Sequence, residues 1–330
     1  MRQRTLADGT AISALSLGAM LFGTKVDEAT SFAILDRYVE AGGNLLDTSD
    51  NYAFWMEGGT GHDSETLLGR WLASRGARDR VVLSTKVGAM PTVPGTAWWE
   101  TGEGLSAGAI RAAIEGSLRR LGTDHVDVYW THVEDRSVPL EETLGALADL
   151  VGEGKVRTIG ASNHAIWRVD RARALSRANG WPAYTSLQYR YTYLQPRLTG
   201  RESTDNANGN PNLRAYGQVT AEFLDYVRHE DDLTVWAYTP LLSGAYTRPD
   251  KPIPAEYDHP GTDERRKVLS EVATEIGATQ NQVVLAWLMG GDPPLLPIVG
   301  VSSVAQLDEV MAATEVELDD AQRTRLDAAG

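Results

Sequence analysis

The chain has no cysteine and no long apolar run, and its charge is mostly of one sign; each of these features excludes a class of protein. Without cysteine, the 330 residues cannot form disulfides, cysteine-ligated zinc sites, iron–sulfur clusters or thiol nucleophiles. No stretch reaches the ~18–20 apolar residues that a membrane helix needs. The 31 Lys and Arg against 45 Asp and Glu give a net charge of −14. Because this field repels phosphate, we expect neither a nucleic-acid nor an anionic-membrane partner.

The apolar segment 11–22 needs a separate interpretation, because Arg2 and Arg4 precede it and this order loosely resembles a secretion signal. Asp8-Gly9 lies between the two parts and is typical of a hairpin turn. No small-residue cleavage site follows the apolar segment before the chain becomes polar. We therefore favour a β-hairpin and a first strand over a signal peptide, and we predict a cytoplasmic protein.

Eight short apolar runs alternate with amphipathic segments of helical length. The runs cover residues 15–18, 44–47, 81–86, 126–132, 156–161, 185–188, 234–238 and 295–299. The spacing predicts a helix capped by Asp27, a second helix capped by Ser64, and further helices at about 106–121, 139–153, 164–179, 218–230, 263–276, 279–290, 303–313 and 318–328. Eight strands that are each followed by a helix are typical of an α/β fold, the (β/α)8 TIM barrel. We predict this barrel for residues 1–330 as a single domain.

A doubly wound open sheet is the alternative fold, and it usually has a glycine-rich turn after its first strand. The segment Gly58-Gly59-Thr60-Gly61 lacks the full G-x-G-x-x-G pattern and is interpreted as a loop. In the barrel, the N-terminal β-hairpin lies outside the repeat and can cap the bottom. Three long connections, at 88–105, 189–217 and 242–262, follow strands and therefore lie at the C-terminal face. Long loops at that face are usually functional.

Three of the predicted strands change from apolar to ionisable where they end. Asp47, Lys86 and His132 each continue an apolar face, because residues two apart on a strand point to the same side. In a barrel, these side chains point inward at the top, where catalytic groups belong. With five lysines against 26 arginines, a lysine that ends a core strand is unusual here, and Asp47 is placed to neutralise it. A structural ion pair and a satisfied core histidine are the alternatives.

Tyr52 follows Asp47 by five residues, on the loop that leaves the same strand. A nearby ammonium favours phenolate, so we expect Lys86 to lower the pKa of Tyr52 and make it a general acid near neutral pH. A carbonyl that receives hydride develops alkoxide charge. Tyr52 would protonate this oxygen, and Lys86 and His132 would stabilise its charge. A partly buried loop aromatic is the alternative role for Tyr52.

Five segments, taken in order and spacing, resemble the aldo-keto reductase superfamily. They are residues 46–52 (LDTSDNY), 65–69 (ETLLG), 84–86 (STK), 127–132 (DVYWTH) and 154–163 (GKVRTIGASN). The similarity runs from about residue 10 to about residue 325, and the segments are specific as a set. The resemblance implies a metal-free barrel that reduces aldehydes and ketones with NADPH, often reversibly. It also implies that Tyr52 is the acid in a tetrad with Asp47, Lys86 and His132.

The same resemblance implies a cofactor path across the barrel. Ser162, Asn163 and Gln188 would hold the nicotinamide carboxamide, although Asn163 and Gln188 could instead be turn-forming residues. Tyr238 would stack on the nicotinamide ring. The remaining cofactor-binding residues are Thr239, then Leu241, Ser243 and Gly244 near the pyrophosphate, and Gly300, Ser302, Ser303 and Gln306 near the adenosine 2′-phosphate. Many relatives have basic side chains in this last segment, which here has none, and that weakens discrimination against NADH. We expect NADP, with NADPH favoured and NADH as the rival.

Aromatic residues on the long loops and at one strand end predict the substrate pocket. They are Phe54, Trp55, Trp98, Trp99 and Trp130. Such a rim favours an apolar or flat-ringed carbonyl or alcohol substrate, or stacking on a sugar face. The polar loop 201–214 could hold polar substituents. No pattern indicates an oligomeric state.

Two other functions could use the same residues. A Schiff-base aldolase would use Lys86 as its nucleophile, although Asp47 should keep that amine protonated. A cofactor-sensing binding subunit would keep the nucleotide site and have little turnover. Reduction of a simple aromatic aldehyde distinguishes both from a reductase.

Overall fold

The computed structural model describes residues 1–197 and 217–330, and in these ranges eight parallel strands close into a barrel. The barrel strands are β3 (Ser16–Gly18), β4 (Leu45–Asp47), β5 (Val82–Val87), β6 (Val126–Thr131), β7 (Val156–Ser162), β8 (Tyr184–Arg190), β9 (Thr234–Tyr238) and β10 (Leu296–Val299). Neighbours follow chain order, and β10 pairs with β3 to close the ring. The predicted TIM barrel is confirmed, and the open-sheet alternative is wrong because this last pairing leaves no sheet edge.

The predicted hairpin lies outside the barrel repeat. Strands β1 (Gln3–Thr5) and β2 (Ala11–Ser13) pair antiparallel, and Gly9 takes the positive φ of 87° that the turn requires. Leu6 and Ile12 are buried in one cluster with the inward side chains of the barrel strands. The hairpin thus contributes apolar side chains to the barrel interior, as expected for a cap.

Helices pack around the barrel and cover its outer face. They are α1 (Glu28–Glu40), α2 (Asp63–Arg75), α3 (Trp98–Thr101), α4 (Ala107–Leu121), α5 (Leu140–Gly152), α6 (Ile166–Asn179), α7 (Ala221–Arg228), α8 (Pro260–Ile276), α9 (Gln280–Met289), α10 (Val304–Ala312) and α11 (Asp320–Ala328). Most agree with the predicted helices within three residues, and the single turn α3 within loop 88–105 was not predicted. No helix in the two described ranges is long and apolar enough to cross a membrane.

The two predicted helix caps have different outcomes. Asp27 caps α1, because its carboxylate accepts a hydrogen bond from the Thr30 N–H at 2.9 Å. Ser64 does not cap α2, which begins one residue earlier. Its buried hydroxyl instead donates to the Ala19 carbonyl at 2.8 Å and lies 2.7 Å from the hydroxyl of Thr48. Ser64 therefore joins the helix to the barrel mouth.

The barrel interior is filled by alternating inward side chains. Trp130 and Trp236 are fully buried there and meet edge to face, with ring centroids 5.0 Å apart. Gly160 is the register partner of Trp130 on β7, and a Cβ at Gly160 would overlap the Trp130 ring. Glycine is therefore required at this position so that the large indole fits between the strands.

Candidate active site

The four predicted catalytic residues lie together at the C-terminal face of the barrel. Asp47 ends β4, Lys86 is the penultimate residue of β5, and His132 directly follows β6. Parallel neighbouring strands end at the same edge, so these three side chains converge. Tyr52 reaches the same point from the loop after β4.

The Lys86 ammonium lies at the centre of this cluster and is fully buried. Its Nζ donates to Asp47 Oδ2 at 2.7 Å, to the Thr48 carbonyl at 2.6 Å and to the Tyr52 hydroxyl at 2.8 Å. These three bonds use all three ammonium protons. Lys86 is therefore held rigidly against the phenol, with its charge balanced by Asp47.

Asp47 binds partners through both carboxylate oxygens. Oδ2 accepts from Lys86 and, at 3.2 Å, from the Tyr52 hydroxyl. Oδ1 accepts from the Ser84 hydroxyl at 2.7 Å and from Gln188 Nε2 at 3.0 Å. Each bond stabilises the ionised carboxylate and fixes its orientation. Ser84 was not predicted as a site residue, although it shares the inward face of β5 with Lys86.

Burial and Asp47 raise the pKa of Tyr52 well above its ordinary value. The prediction that Lys86 would lower this pKa is wrong in direction, because a phenolate at this partly buried position would lose hydration and face the Asp47 carboxylate. The phenol therefore remains protonated at neutral pH. A protonated phenol whose oxygen already accepts a bond from Lys86 can still act as a proton donor.

His132 lies beside the phenol, with its ring edge-on to Tyr52 and the two centroids 6.2 Å apart. Burial, with a smaller contribution from the Lys86 charge, holds the pKa of His132 well below its ordinary value. Burial likewise lowers the pKa of Lys86, against the opposing effect of Asp47. Because its own pKa is lowered, His132 is a neutral imidazole at physiological pH.

The residues expected at the nicotinamide end come from three adjacent strand ends. Asn163, directly after β7, donates through Nδ2 to the His132 carbonyl at 3.0 Å and accepts at Oδ1 from the Tyr238 hydroxyl at 2.8 Å. The Ser162 hydroxyl donates to the Gln188 carbonyl at 2.9 Å. Asn163 has a positive φ of 57°, a conformation that non-glycine residues adopt mostly in special loops. Asn163 Nδ2 also donates to Ser162 Oγ at 3.0 Å, and the Gln188 side chain donates to Asp47, so this group is joined to the catalytic cluster.

The loop after β9 contains unusual backbone angles. Thr239, Leu242 and Ser243 all have positive φ, between 47° and 56°, and Gly244 has φ 98°. Non-glycine residues in this region are strained, and such strain is concentrated at ligand sites. This loop, which follows Tyr238, contains the residues predicted for the cofactor path, Thr239, Leu241, Ser243 and Gly244.

The segment expected at the adenosine end forms the start of α10. Ser303 caps this helix, since its hydroxyl accepts from the Gln306 N–H at 3.2 Å. The Gln306 amide oxygen accepts from the Ser302 N–H at 2.8 Å and from the Ser302 hydroxyl at 3.1 Å. Gly300 precedes them with open space where a Cβ would be. The first turn of α10 has no basic side chain, as the sequence indicated.

The predicted aromatic rim is only partly formed. Trp98 and Trp99 line a cavity of ≈ 340 Å³ that also contacts Asn163 and the loop after β6. Phe54 packs edge-on against Trp55, which is 49% exposed. Trp130 is not on the rim, because it points into the barrel interior, where it is fully buried. The polar loop 201–214 lies outside the described residues.

Asp50 and Glu103 form a carboxyl pair that the sequence did not indicate. Asp50 is buried in the loop that carries Tyr52, and the Glu103 carboxyl acts on it electrostatically while accepting from the Gly88 N–H at 2.8 Å. Two neighbouring carboxyls repel each other when both are ionised. Burial and then the Glu103 charge raise the pKa of Asp50 well above its ordinary value. The two residues are 53 positions apart, so no local pattern could have paired them.

Comparison with known proteins assigns the chain to a family. The sequence model of the Aldo/keto reductase family matches residues 14–330. The chain therefore belongs to the aldo/keto reductase family, which confirms the resemblance drawn from the five sequence segments.

Individual relatives match over almost the whole chain. An uncharacterized oxidoreductase of Bacillus subtilis, YrpG, is 32% identical over 94% of this chain and 90% of its own length. Norsolorinic acid reductase stcV of Emericella nidulans is 29% identical over 94% of this chain and 76% of its own. The aldo-keto reductase AMT2 of Alternaria alternata is 31% identical over 97% of this chain and 88% of its own length. The crystal structure of the thermostable aldo-keto reductase Tm1743 with the inhibitor epalrestat aligns over the full length of both chains, with a TM-score of 0.73 and 25% identity.

Proposed function

We propose that the protein reduces the carbonyl group of a small aldehyde or ketone to an alcohol with a nicotinamide dinucleotide, and that Tyr52 is the proton donor. The observation that carries this proposal is the contact of the Tyr52 hydroxyl with Lys86 Nζ at 2.8 Å, within a buried Asp47–Lys86 ion pair. Family membership supports carbonyl reduction as the reaction class. Tyr52 is only partly buried, so its hydroxyl can meet a substrate, whereas Lys86 and Asp47 cannot.

The chain's own groups account for the movement of the proton. Without substrate, the Tyr52 hydroxyl donates to Asp47; with substrate, the same proton is donated to the carbonyl oxygen. Transfer leaves a phenolate, which Lys86 stabilises through its existing hydrogen bond. Asp47 keeps Lys86 charged and in place, and Ser84 and Gln188 keep Asp47 in place.

The nicotinamide cofactor, when bound, supplies the hydride that reduces the carbonyl carbon. We propose that Asn163, Ser162 and Gln188 hold its carboxamide, that Tyr238 packs on its ring, and that the strained loop after β9 follows its phosphates. We favour NADPH because the family resemblance implies it. The lack of a basic side chain at Ser302–Gln306 makes NADH the competing choice. Separate titrations of nicotinamide fluorescence with NADPH and NADH decide between them.

Replacement of one hydroxyl tests the proposal. In Tyr52→Phe, we expect reduction of 4-nitrobenzaldehyde to fall by about 10²–10⁴-fold, the usual contribution of a general acid, with cofactor affinity unchanged. Tyr226→Phe is the matched control, because it removes a phenol oxygen on α7 that has no hydrogen-bond partner in the described residues. Full turnover by Tyr52→Phe would exclude Tyr52 as the acid.

The same assay distinguishes the two alternatives. A Schiff-base aldolase is disfavoured, because the Lys86 amine is fully buried and donates all its protons. A cofactor-sensing subunit would bind the nucleotide and show no turnover with any simple aldehyde. The buried catalytic cluster and its partly exposed phenol favour the reductase.

A further inference from the structure

The orientation of His132 depends on two residues of the loop after β4, Ser49 and Asn51. Both are buried, and neither was predicted as a site residue. Ser49 Oγ lies 3.2 Å from His132 Nδ1, and it also donates to Asn51 Oδ1 at 2.7 Å. Because a neutral imidazole has one N–H and one bare nitrogen, this contact decides which ring nitrogen carries the proton.

The amide of Asn51 has only one acceptable orientation. Its Nδ2 donates to the Ala89 carbonyl at 2.9 Å. If the amide were flipped, its oxygen would face that carbonyl oxygen, and two acceptors would be in contact. Asn51 Oδ1 therefore faces Ser49, and an amide oxygen can only accept a hydrogen bond.

This orientation commits the single hydroxyl proton of Ser49. The proton lies between Ser49 Oγ and Asn51 Oδ1, and the other nearby oxygen, Asp50 Oδ1, is more distant at 3.4 Å. Toward His132, Ser49 then has only oxygen lone pairs to offer. His132 Nδ1 must be the donor in this contact.

We propose that the chain Asn51–Ser49 fixes His132 as the tautomer protonated on Nδ1, which leaves Nε2 as a hydrogen-bond acceptor. Ser49 and Asn51 are thus positioning residues for His132. A bare Nε2 cannot donate to a carbonyl oxygen, so Tyr52 is the donor to the substrate carbonyl. Nε2 can accept from the hydroxyl of the alcohol that the reaction forms.

This inference deepens the proposed function, and its consequence for catalysis depends on that function. It revises the sequence-based expectation that His132 stabilises the developing alkoxide by donation. Loss of the Ser49 hydroxyl removes the acceptor at Nδ1, so the proton is free to move to Nε2. In Ser49→Ala, we therefore expect the KM for an alcohol to rise about threefold to tenfold, the range for one net hydrogen bond. The kcat of the aldehyde reaction should change less.

Nitrogen NMR on protein labelled with ¹⁵N-histidine tests the tautomer without requiring turnover. The His132 signals are assigned by their loss in His132→Gln, and we expect wild-type protein near neutral pH to show Nδ1 protonated and Nε2 bare. Ser49→Ala should move the proton toward Nε2, and Ser49→Thr, which keeps a hydroxyl, should restore the wild-type pattern. Ser64→Ala, which removes a different buried hydroxyl, should leave the pattern unchanged.

A wild-type spectrum with the proton on Nε2 would overturn the inference, whether or not any variant folds. So would a Ser49→Ala spectrum identical to that of wild type. The proposed function has its own test in Tyr52→Phe. If the wild-type protein shows Nδ1 protonated but reduces no aldehyde, only the proposed function is rejected. If it reduces aldehydes but shows Nε2 protonated, only this inference is rejected.

Discussion

Removal of the Asp47 carboxylate should destabilise the protein strongly, because it leaves the Lys86 ammonium buried without a counter-charge. Asp47 is 1% exposed and Lys86 is 0% exposed, and the pair is 2.7 Å apart. In Asp47→Ala, Lys86 retains only the Thr48 carbonyl and the Tyr52 oxygen as partners. Neither partner carries a full negative charge while the phenol is protonated.

The magnitude follows from the geometry of the pair. Two unit charges 2.7 Å apart attract each other by about 6 kcal/mol at an effective dielectric constant of ~20. Part of this attraction offsets the desolvation of both groups, and loss of one partner of a buried pair typically costs ~3–5 kcal/mol. We expect Asp47→Ala to lower the free energy of unfolding by that amount. In Asp47→Ala/Lys86→Met, most of this loss should be recovered, because no charge remains buried.

Urea denaturation of the cofactor-free protein, followed by far-ultraviolet circular dichroism, measures both variants on one scale. Lys86→Met alone completes the double-mutant cycle and gives the coupling energy. A loss below ~1 kcal/mol in Asp47→Ala, or a double variant whose losses simply add, would refute the buried-pair reasoning.

Three further predictions concern packing and pH. Gly160→Ala should lower the free energy of unfolding by ~1–3 kcal/mol, because the new Cβ overlaps the Trp130 ring. A thermal melt measures the resulting fall in the unfolding temperature. Since the pKa of Asp50 is raised in the folded state, stability should fall as pH rises from about 4, the ordinary range of an aspartate, through the raised pKa. Asp50→Asn should remove this slope from a series of urea titrations, because an asparagine side chain has no carboxyl proton to lose. Burial lowers the pKa of His164 to about 4, so stability should fall by about 3 kcal/mol as pH drops from the ordinary histidine range near 6.5 to 4; His164→Gln should flatten that part of the curve.

Matched controls make these outcomes decisive. Gly152→Ala changes a glycine near the end of α5 that has nothing within 4 Å of the added Cβ, so it should be neutral or slightly stabilising. A Gly160→Ala variant as stable as Gly152→Ala would contradict the account of the Trp130 packing. An unchanged pH slope in either pH variant would assign that slope to another group.

Much of the fold was predictable because its signals are local. Short apolar strands alternate with amphipathic helices, and this order and count are sufficient to indicate an eight-stranded barrel. The same alternation placed Asp47 and Lys86 on inward faces at strand ends, where the structure brings them together. Tyr52 was found because it closely follows Asp47 along the chain.

The sequence by itself determined the barrel, its N-terminal hairpin and the gathering of the four catalytic candidates at one face, because strand alternation and chain order act over a few residues. Only the tertiary structure decided the direction of the Tyr52 pKa, since burial and the Asp47 charge are properties of the folded environment. It also decided that Trp130 fills the interior and that Gln188 reaches Asp47 across 141 positions. Such contacts depend on how distant strands close around one another, and no local pattern encodes that closure.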